Sequence, residues 1–221
     1  MSYRLSKIDE LSLGGHYYLE EGDDCLYFGE YTVDRDWSYS DTNQLIHNFK
    51  KDMSLRHTDQ RQFYHKRRAI MEVGKLIADT INPDKEWTST AIIVPVPPSK
   101  IKTDPDYDPR MLASLQCASK KLGFDLPICE CISQRESTDP DHASNKPRLP
   151  PKDRASTYDM NLDIVPENTL LAIIVDDVVA TGSHYKGIEI VLKNYIPEIR
   201  VQGLFIARTV LPNPLEGFSV V

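Results

Sequence analysis

The residues best suited to chemistry lie in one stretch, Leu170 to His184. The apolar run Leu170-Leu-Ala-Ile-Ile-Val175 leads into Asp176-Asp177, then Val178-Val179, then the small-residue turn Ala180-Thr181-Gly182-Ser183 and His184. An ionised carboxylate only accepts hydrogen bonds, and a ribose offers two neighbouring hydroxyl donors. The turn offers the opposite chemistry. Its small side chains let backbone approach a ligand, Gly182 can take a positive φ, and N–H groups at a helix start favour an anion. Thr181 and Ser183 add hydroxyls. The pattern fits a ribose 5-phosphate, with Asp176 and Asp177 on the diol and Ala180, Thr181, Gly182, Ser183 and His184 around the phosphate. Negative charge beside C1′ would also favour an oxocarbenium-like transition state. A lone Asp-Asp after a strand is often only a solvated turn. It also occurs beside P-loops, but those need G-x-x-x-x-G-K-[ST], and the one comparable spacing, Gly182 to Gly187, is followed by Ile188-Glu189.

Positioning such a site requires strands and helices in alternation. Leu170 to Val175 and Ala91 to Val96 read as buried strands, the second broken by Pro97-Pro98. Phe63, Ile70, Val73, Ile77 and Ile81 share one helical face, and Asn82-Pro83 ends that helix. Asp108-Pro109 reads as an N-cap and first helical residue of a helix carrying Leu112, Leu115 and Leu122, with Gly123 past its end. Pro127 to Ser133 suggests a short strand. Ile188, Val191, Leu192 and Tyr195 mark a helix after the Gly182 turn, and Val201 to Ala207 a last strand. Alternation of this kind implies a parallel, helix-covered sheet, an α/β fold. Near the start, His16–Leu19 and Cys25–Thr32 flank Glu21-Gly22-Asp23-Asp24 and read as a β-hairpin, with a polar loop from Asp34 to Thr42. Gln134 to Asp159 has almost nothing to bury and reads as one long loop, a lid or a disordered connector.

The bulk numbers narrow the classes. A chain of 221 residues with 40% hydrophobic and 27% charged residues is an ordinary globular protein. No apolar run spans a bilayer and Met1 to Glu10 is no signal peptide, so a cytoplasmic location without membrane contact is expected. The net charge of -7 argues against a global grip on nucleic acid. The 4 cysteines, Cys25, Cys117, Cys129 and Cys131, have no C-x-x-C spacing and read as reduced structural thiols. The 6 histidines form no metal-ligand pair, so no metal bound by the protein alone is expected.

Ile174-Val-Asp-Asp-Val-Val-Ala-Thr-Gly182 resembles the 5-phosphoribosyl-1-pyrophosphate (PRPP) motif of type I phosphoribosyltransferases. Other segments resemble the ComF-like branch of that family. Ile92-Ile-Val-Pro-Val-Pro97 is similar to its first strand and pyrophosphate loop. Leu149-Pro-Pro-Lys-Asp-Arg154 with Asn161 is similar to the end of its flexible loop, and Phe205-Ile-Ala-Arg-Thr209 to its terminal strand. The likeness covers roughly residues 63 to 210. It implies a parallel-sheet type I phosphoribosyltransferase fold over 61–221, preceded by a small N-terminal β-hairpin or hood region over 1–60. It also implies PRPP bound with Mg²⁺ and transfer of the phosphoribosyl group to an acceptor with release of pyrophosphate. Asp176 and Asp177 would be catalytic, with Lys152 and Arg154 delivered by a closing loop. Pro98, Ser99 and Lys100 would hold the pyrophosphate. A nucleoside monophosphate is the implied product and a homodimer the implied assembly. The other class of function the likeness allows is a non-catalytic PRPP or nucleotide sensor, or an accessory subunit in DNA uptake or retron-type defence with a nucleic-acid or protein partner. The chain departs from the family at His184, where Thr is usual, in lacking the cysteines of an N-terminal zinc ribbon, and in the acids Asp104, Asp106 and Asp108 after the pyrophosphate loop.

Two further groups stand outside that scheme. Arg61, His65, Lys66, Arg67 and Arg68, with Phe63 and Tyr64 interleaved, read first as a solvated helix face and second as a nucleic-acid contact. Tyr17, Tyr18, Tyr27 and Tyr31 read first as sheet packing and second as a stacking surface.

Overall fold

The computed structural model describes residues 3–82, 84, 86–138 and 148–213. Its frame is a sheet of strands β1 (Ser6–Lys7), β2 (Asp24–Thr32), β3 (Ala91–Pro95), β6 (Leu171–Val179) and β7 (Arg200–Val210), in spatial order β1-β2-β7-β6-β3. The pairs β2–β7, β7–β6 and β6–β3 are parallel, and only β1 runs antiparallel, to β2. A parallel sheet needs cover on both faces. On one side lie α2 (Asp41–Phe49), α4 (Gln60–Thr80) and α5 (Arg110–Leu122), around Phe28, Ile46, Phe49, Val73, Ile77 and Leu115. On the other lies α7 (Ser183–Tyr195), packed around Ile92, Ile174, Tyr185, Ile188, Leu192 and Phe205. A small antiparallel pair, β4 (Ile132–Gln134) with β5 (Tyr158–Met160), and the short helix α6 (Pro151–Ser156) join this second layer. The remaining helices, α1 (Glu10–Leu13) and α3 (Leu55–Thr58), are single turns. Among the described residues no helix is long and apolar enough to cross a membrane.

The α/β class holds, with strands at Ala91–Pro95, Leu171–Val179 and Arg200–Val210 and helices over the expected periodic segments, whereas the short strand expected over Pro127 to Ser133 is reduced to a bridge at Ile128 and to β4. Gly123 closes α5 in the left-handed conformation at φ 74°, as its place past Leu122 suggested. The described cysteines are all unpaired thiols. Four expectations need correction. First, there is no N-terminal hairpin of the kind expected. The turn is real, with Gly22 at φ 103°. His16–Leu19 forms no strand, however, and β2 instead pairs in parallel with β7, Cys25 opposite Gly203 and Tyr31 opposite Thr209. β2 is thus a member of the main sheet.

Second, Asp34 to Thr42 is not wholly a loop, because α2 begins at Asp41, capped by the Ser40 hydroxyl accepting from Asn43 N–H at 3.0 Å. Third, Asp108 does not cap α5. Pro109 holds the N-cap position without a side-chain hydrogen bond, and Asp108 is drawn into ion pairs instead. Fourth, the end of the long polar segment is structured. Pro150-Pro151 starts α6, which lies so close to α7 that a Cβ on Gly187 would meet Arg154 Cγ at 2.8 Å and the Ala155 backbone nitrogen at 3.3 Å. Residues 139–147 of that segment, and Pro83, lie outside the described residues.

Candidate functional site

The crevice follows from how β3 and β6 part. From β3 the chain passes through α5 to Ile128, which bridges β3 on its outer side, and only later enters β6 on the inner side. The winding therefore reverses at β3, and ligands of such sheets lie beyond the carboxyl ends of the strands at that reversal. Pairing of β3 with β6 ends at Pro95 opposite Val175, closed by Val96 N–H donating to the Val175 carbonyl at 3.0 Å. β6 runs on along β7 as far as Val179 opposite Arg208. Asp176 and Asp177 therefore lie within a strand whose outer neighbour, β3, has departed, rather than after its end. A cleft opens there, walled by Pro95–Pro98, Lys100, Ile101, the start of α5, Gln134 and Asp176.

The pleat makes the two aspartates unlike. Successive residues of a strand face opposite ways. Asp177 follows Val175 to the α2–α5 face, is 5% exposed, and is taken up by cations. Lys50 Nζ reaches its Oδ1 at 3.0 Å, and Arg110 donates to Oδ2 through Nη2 at 2.8 Å and Nε at 3.2 Å. Burial opposes its charge, yet the Lys50 ammonium and Arg110 guanidinium overcome this and hold its carboxyl far below the usual carboxylate range. Asp176 follows Ile174 to the other side, faces the cleft and is half-buried. Burial and the neighbouring Asp177 charge push its carboxyl up, against a smaller pull from His184. Its Oδ1 accepts from the Asp177 N–H at 2.7 Å.

Behind Asp177 lies a cluster that the sequence did not announce. Lys66, 1% exposed, donates to the Phe49 and Lys51 carbonyls at 2.9 and 2.7 Å and to Asp108 Oδ2 at 2.7 Å. Arg110 Nη1 meets the same Oδ2 at 2.7 Å, and its guanidinium lies 5.7 Å from the Phe49 ring centroid. Lys66 is thus no part of the solvated face expected for its segment, whereas Arg61, His65, Arg67 and Arg68 are exposed. Asp108 Oδ1 and Gln134 Oε1, both on residues of the cleft wall, are buried without a hydrogen-bond partner among the described residues. A ligand with hydrogen-bond donors would satisfy them.

The turn after β6 has the expected backbone. Gly182 takes φ 86° at the N-cap of α7, and the first N–H groups of that helix have no intrahelical acceptors. The chain itself covers this turn. Tyr18 N–H donates to the Thr181 carbonyl at 2.8 Å, and His16 Nδ1 donates to the Ala180 carbonyl at 2.5 Å. Leu19 lies so close to Gly182 that a Cβ there would meet Leu19 Cδ2 at 2.6 Å. The buried Ser183 donates its hydroxyl to the Leu149 carbonyl. His184 is half-buried, its Nδ1 hydrogen-bonded to the Tyr158 hydroxyl at 2.7 Å.

Of the other expected site residues, Pro98 and Lys100 line the cleft, and the adjoining Ser99 accepts from Thr138 N–H at 2.8 Å. Arg154 is 4% exposed and packs against Gly187 on α7, while Lys152 is exposed on α6. The structure thus gathers Asp176, Pro98 and Lys100 around one cleft and places Arg154 in the α6–α7 packing. Of the acids after β3, Asp104 accepts from the Ser137 hydroxyl at 2.7 Å and Asp108 is in the ion cluster. The chain matches no family model and no curated protein. The functional reading rests on this geometry.

Proposed function

We propose that the cleft binds PRPP and that the protein transfers its 5-phosphoribosyl group to an acceptor with release of pyrophosphate, on a type I phosphoribosyltransferase fold. The observation that carries this is Asp176, a carboxylate with no ion pair among the described residues, at the reversal point of a parallel sheet and one short turn before a glycine-capped helix. In this reading Asp176 accepts from the ribose diol and its charge favours positive character at C1′. The backbone from Ala180 to His184 holds the 5-phosphate, and Pro98, Ser99 and Lys100 flank the pyrophosphate. Asp177 keeps Lys50 fixed behind the cleft and Arg110 fixed in its wall rather than touching the sugar.

Among the described residues no three His, Cys, Asp or Glu side chains gather to hold a metal. A single carboxylate such as Asp176 suits Mg²⁺ that is held mainly by substrate phosphates. Bound in that way, Mg²⁺ would neutralise the leaving pyrophosphate. Lys152 is exposed on α6 outside the cleft lining, and Arg154 acts by fixing α6 on α7.

A second reading, PRPP or nucleotide sensing without turnover in an accessory subunit, is favoured by the cover that Leu19 and Leu149 lay over the Gly182–Ser183 turn. The test is thermal unfolding with PRPP and Mg²⁺. The reading predicts a rise in Tm that grows with PRPP concentration. No rise at millimolar PRPP overturns transfer and PRPP sensing alike, and no rise with a nucleoside monophosphate overturns nucleotide sensing. Pyrophosphate release with an acceptor separates transfer from sensing.

A further inference from the structure

A second concave surface lies on the outer side of α2 and α4, independent of the cleft. Gln44, His47 and Asn48, spaced i, i+3, i+4 on α2, continue to Lys51 just past its end, and face Gln62 and His65 on α4. Trp37, from the loop before α2, closes the groove and is 52% exposed. The groove encloses about 410 Å³, inside the roughly 300–1,000 Å³ of ordinary ligand sites. Its lining contains no carboxylate, although the chain carries 33 acidic residues and a net charge of -7. Partial burial, then the nearby Lys51 ammonium, hold the His47 imidazole below its ordinary basicity. Adjacent residues of the chain divide the labour: Lys50 turns inward to Asp177, and Lys51 turns outward here.

Each part of this lining answers one part of a nucleotide. A half-exposed indole is a stacking platform for a base. Carboxamides carry both donor and acceptor and match base edges. The Lys51 ammonium takes a phosphate, with the His47 and His65 imidazoles as further N–H donors. Arg61 and Arg68, exposed on α4 four residues before and three after His65, share its helix face and extend the positive charge beyond the groove, so more than one phosphate can be met. The acidic remainder of the molecule disfavours a duplex, whose affinity depends on many phosphate contacts. We propose that the α2–α4 groove binds single-stranded nucleic acid, one base stacking on Trp37 and the flanking phosphates meeting Lys51 and α4.

The experiment is fluorescence anisotropy of the full chain with labelled, mixed-sequence 12-nucleotide single strands of DNA and of RNA, a duplex of the same sequence, and AMP as competitor. Binding of at least one single strand is expected, weakened by raised salt. Trp37→Ala should weaken it about tenfold or more, and Lys51→Ala with His65→Ala should reduce it further, with far-ultraviolet circular dichroism unchanged because all three side chains lie at the surface. Asp176→Asn should bind the strand as the wild type does, which separates failure here from failure of the PRPP reading. No binding of either single strand, binding that survives all three groove substitutions, equal affinity for the duplex, or competition by AMP as effective as by unlabelled strand would overturn the proposal.

Discussion

At the scale of single residues, the decisive feature is that neighbours of identical chemistry have opposite fates. Asp176 and Asp177 read alike in the sequence, and the strand pleat assigns one to the cleft and one to a buried ion cluster. Nothing local to Asp177 indicates Lys50 or Arg110, which come from distant parts of the chain. Long-range ion pairs of this kind leave no sequence period, so the cluster was not legible. Its energetics are testable. Asp177→Asn leaves Lys50 without its described partner and Arg110 with Asp108 alone, and should cost about 2–4 kcal/mol in urea unfolding at pH 7. That figure is moderated because Arg110 and Lys50 side chains are still 22% and 27% exposed. The pH dependence follows from the sign of the shift. Asp177 is more acidic folded than unfolded, so its contribution is complete above the ordinary carboxylate value of about 4 and is lost as pH falls toward its depressed folded value. Asp177→Asn should therefore lose less stability than the wild type between neutral pH and strong acid. A parallel loss in both proteins would show that these ion pairs contribute nothing.

At the scale of elements, most of the frame was readable because its signals are local. The apolar runs of β3 and β6, the periodic face of α4 and the glycine after α5 each reflect one rule of burial or backbone geometry. The misreadings share a physical cause. His16–Leu19 has strand-like composition, but its backbone is used to cover the β6–α7 turn, a tertiary contact without a local signature. Residues 151–156 lack an apolar stripe because α6 is too short to need one and is held by Arg154 on Gly187. The Gly182 turn was legible, and its cover was not. Gly182→Ala adds a methyl group in the left-handed region and against Leu19 Cδ2 and Cγ at 2.6 and 2.8 Å. It should destabilise the fold by about 2–4 kcal/mol. Combining it with Leu19→Ala should recover part of the steric share, so that the two costs do not add. Simple additivity in chemical denaturation would show that Leu19 does not press on the turn.

At the scale of the whole molecule, the parallel sheet ties residues near the start of the chain to those near its end. β2 pairs with β7 along most of its length, and Lys50, at the end of α2, reaches the aspartate pair of β6. The α/β class and the location of the cleft were within reach of the sequence, because a buried strand followed by carboxylates and a glycine turn already implies the carboxyl end of a sheet. The participation of β2 was not, since strand partnership depends on chain topology rather than on the strand's own residues. The central claim is that Asp176, and not Asp177, meets the ligand. Calorimetric titration of PRPP with Mg²⁺ into wild type and Asp176→Asn tests it most directly, with urea unfolding of both proteins alongside. Asp176 is less acidic folded than unfolded, so its ionised form costs stability at pH 7, and Asp176→Asn should fold at least as stably as the wild type there. The account predicts heat in the wild type and affinity reduced about tenfold or more in this stable variant, as the loss of a charged hydrogen-bond acceptor implies. Equal affinity in the two proteins, or no heat in the wild type, would contradict it.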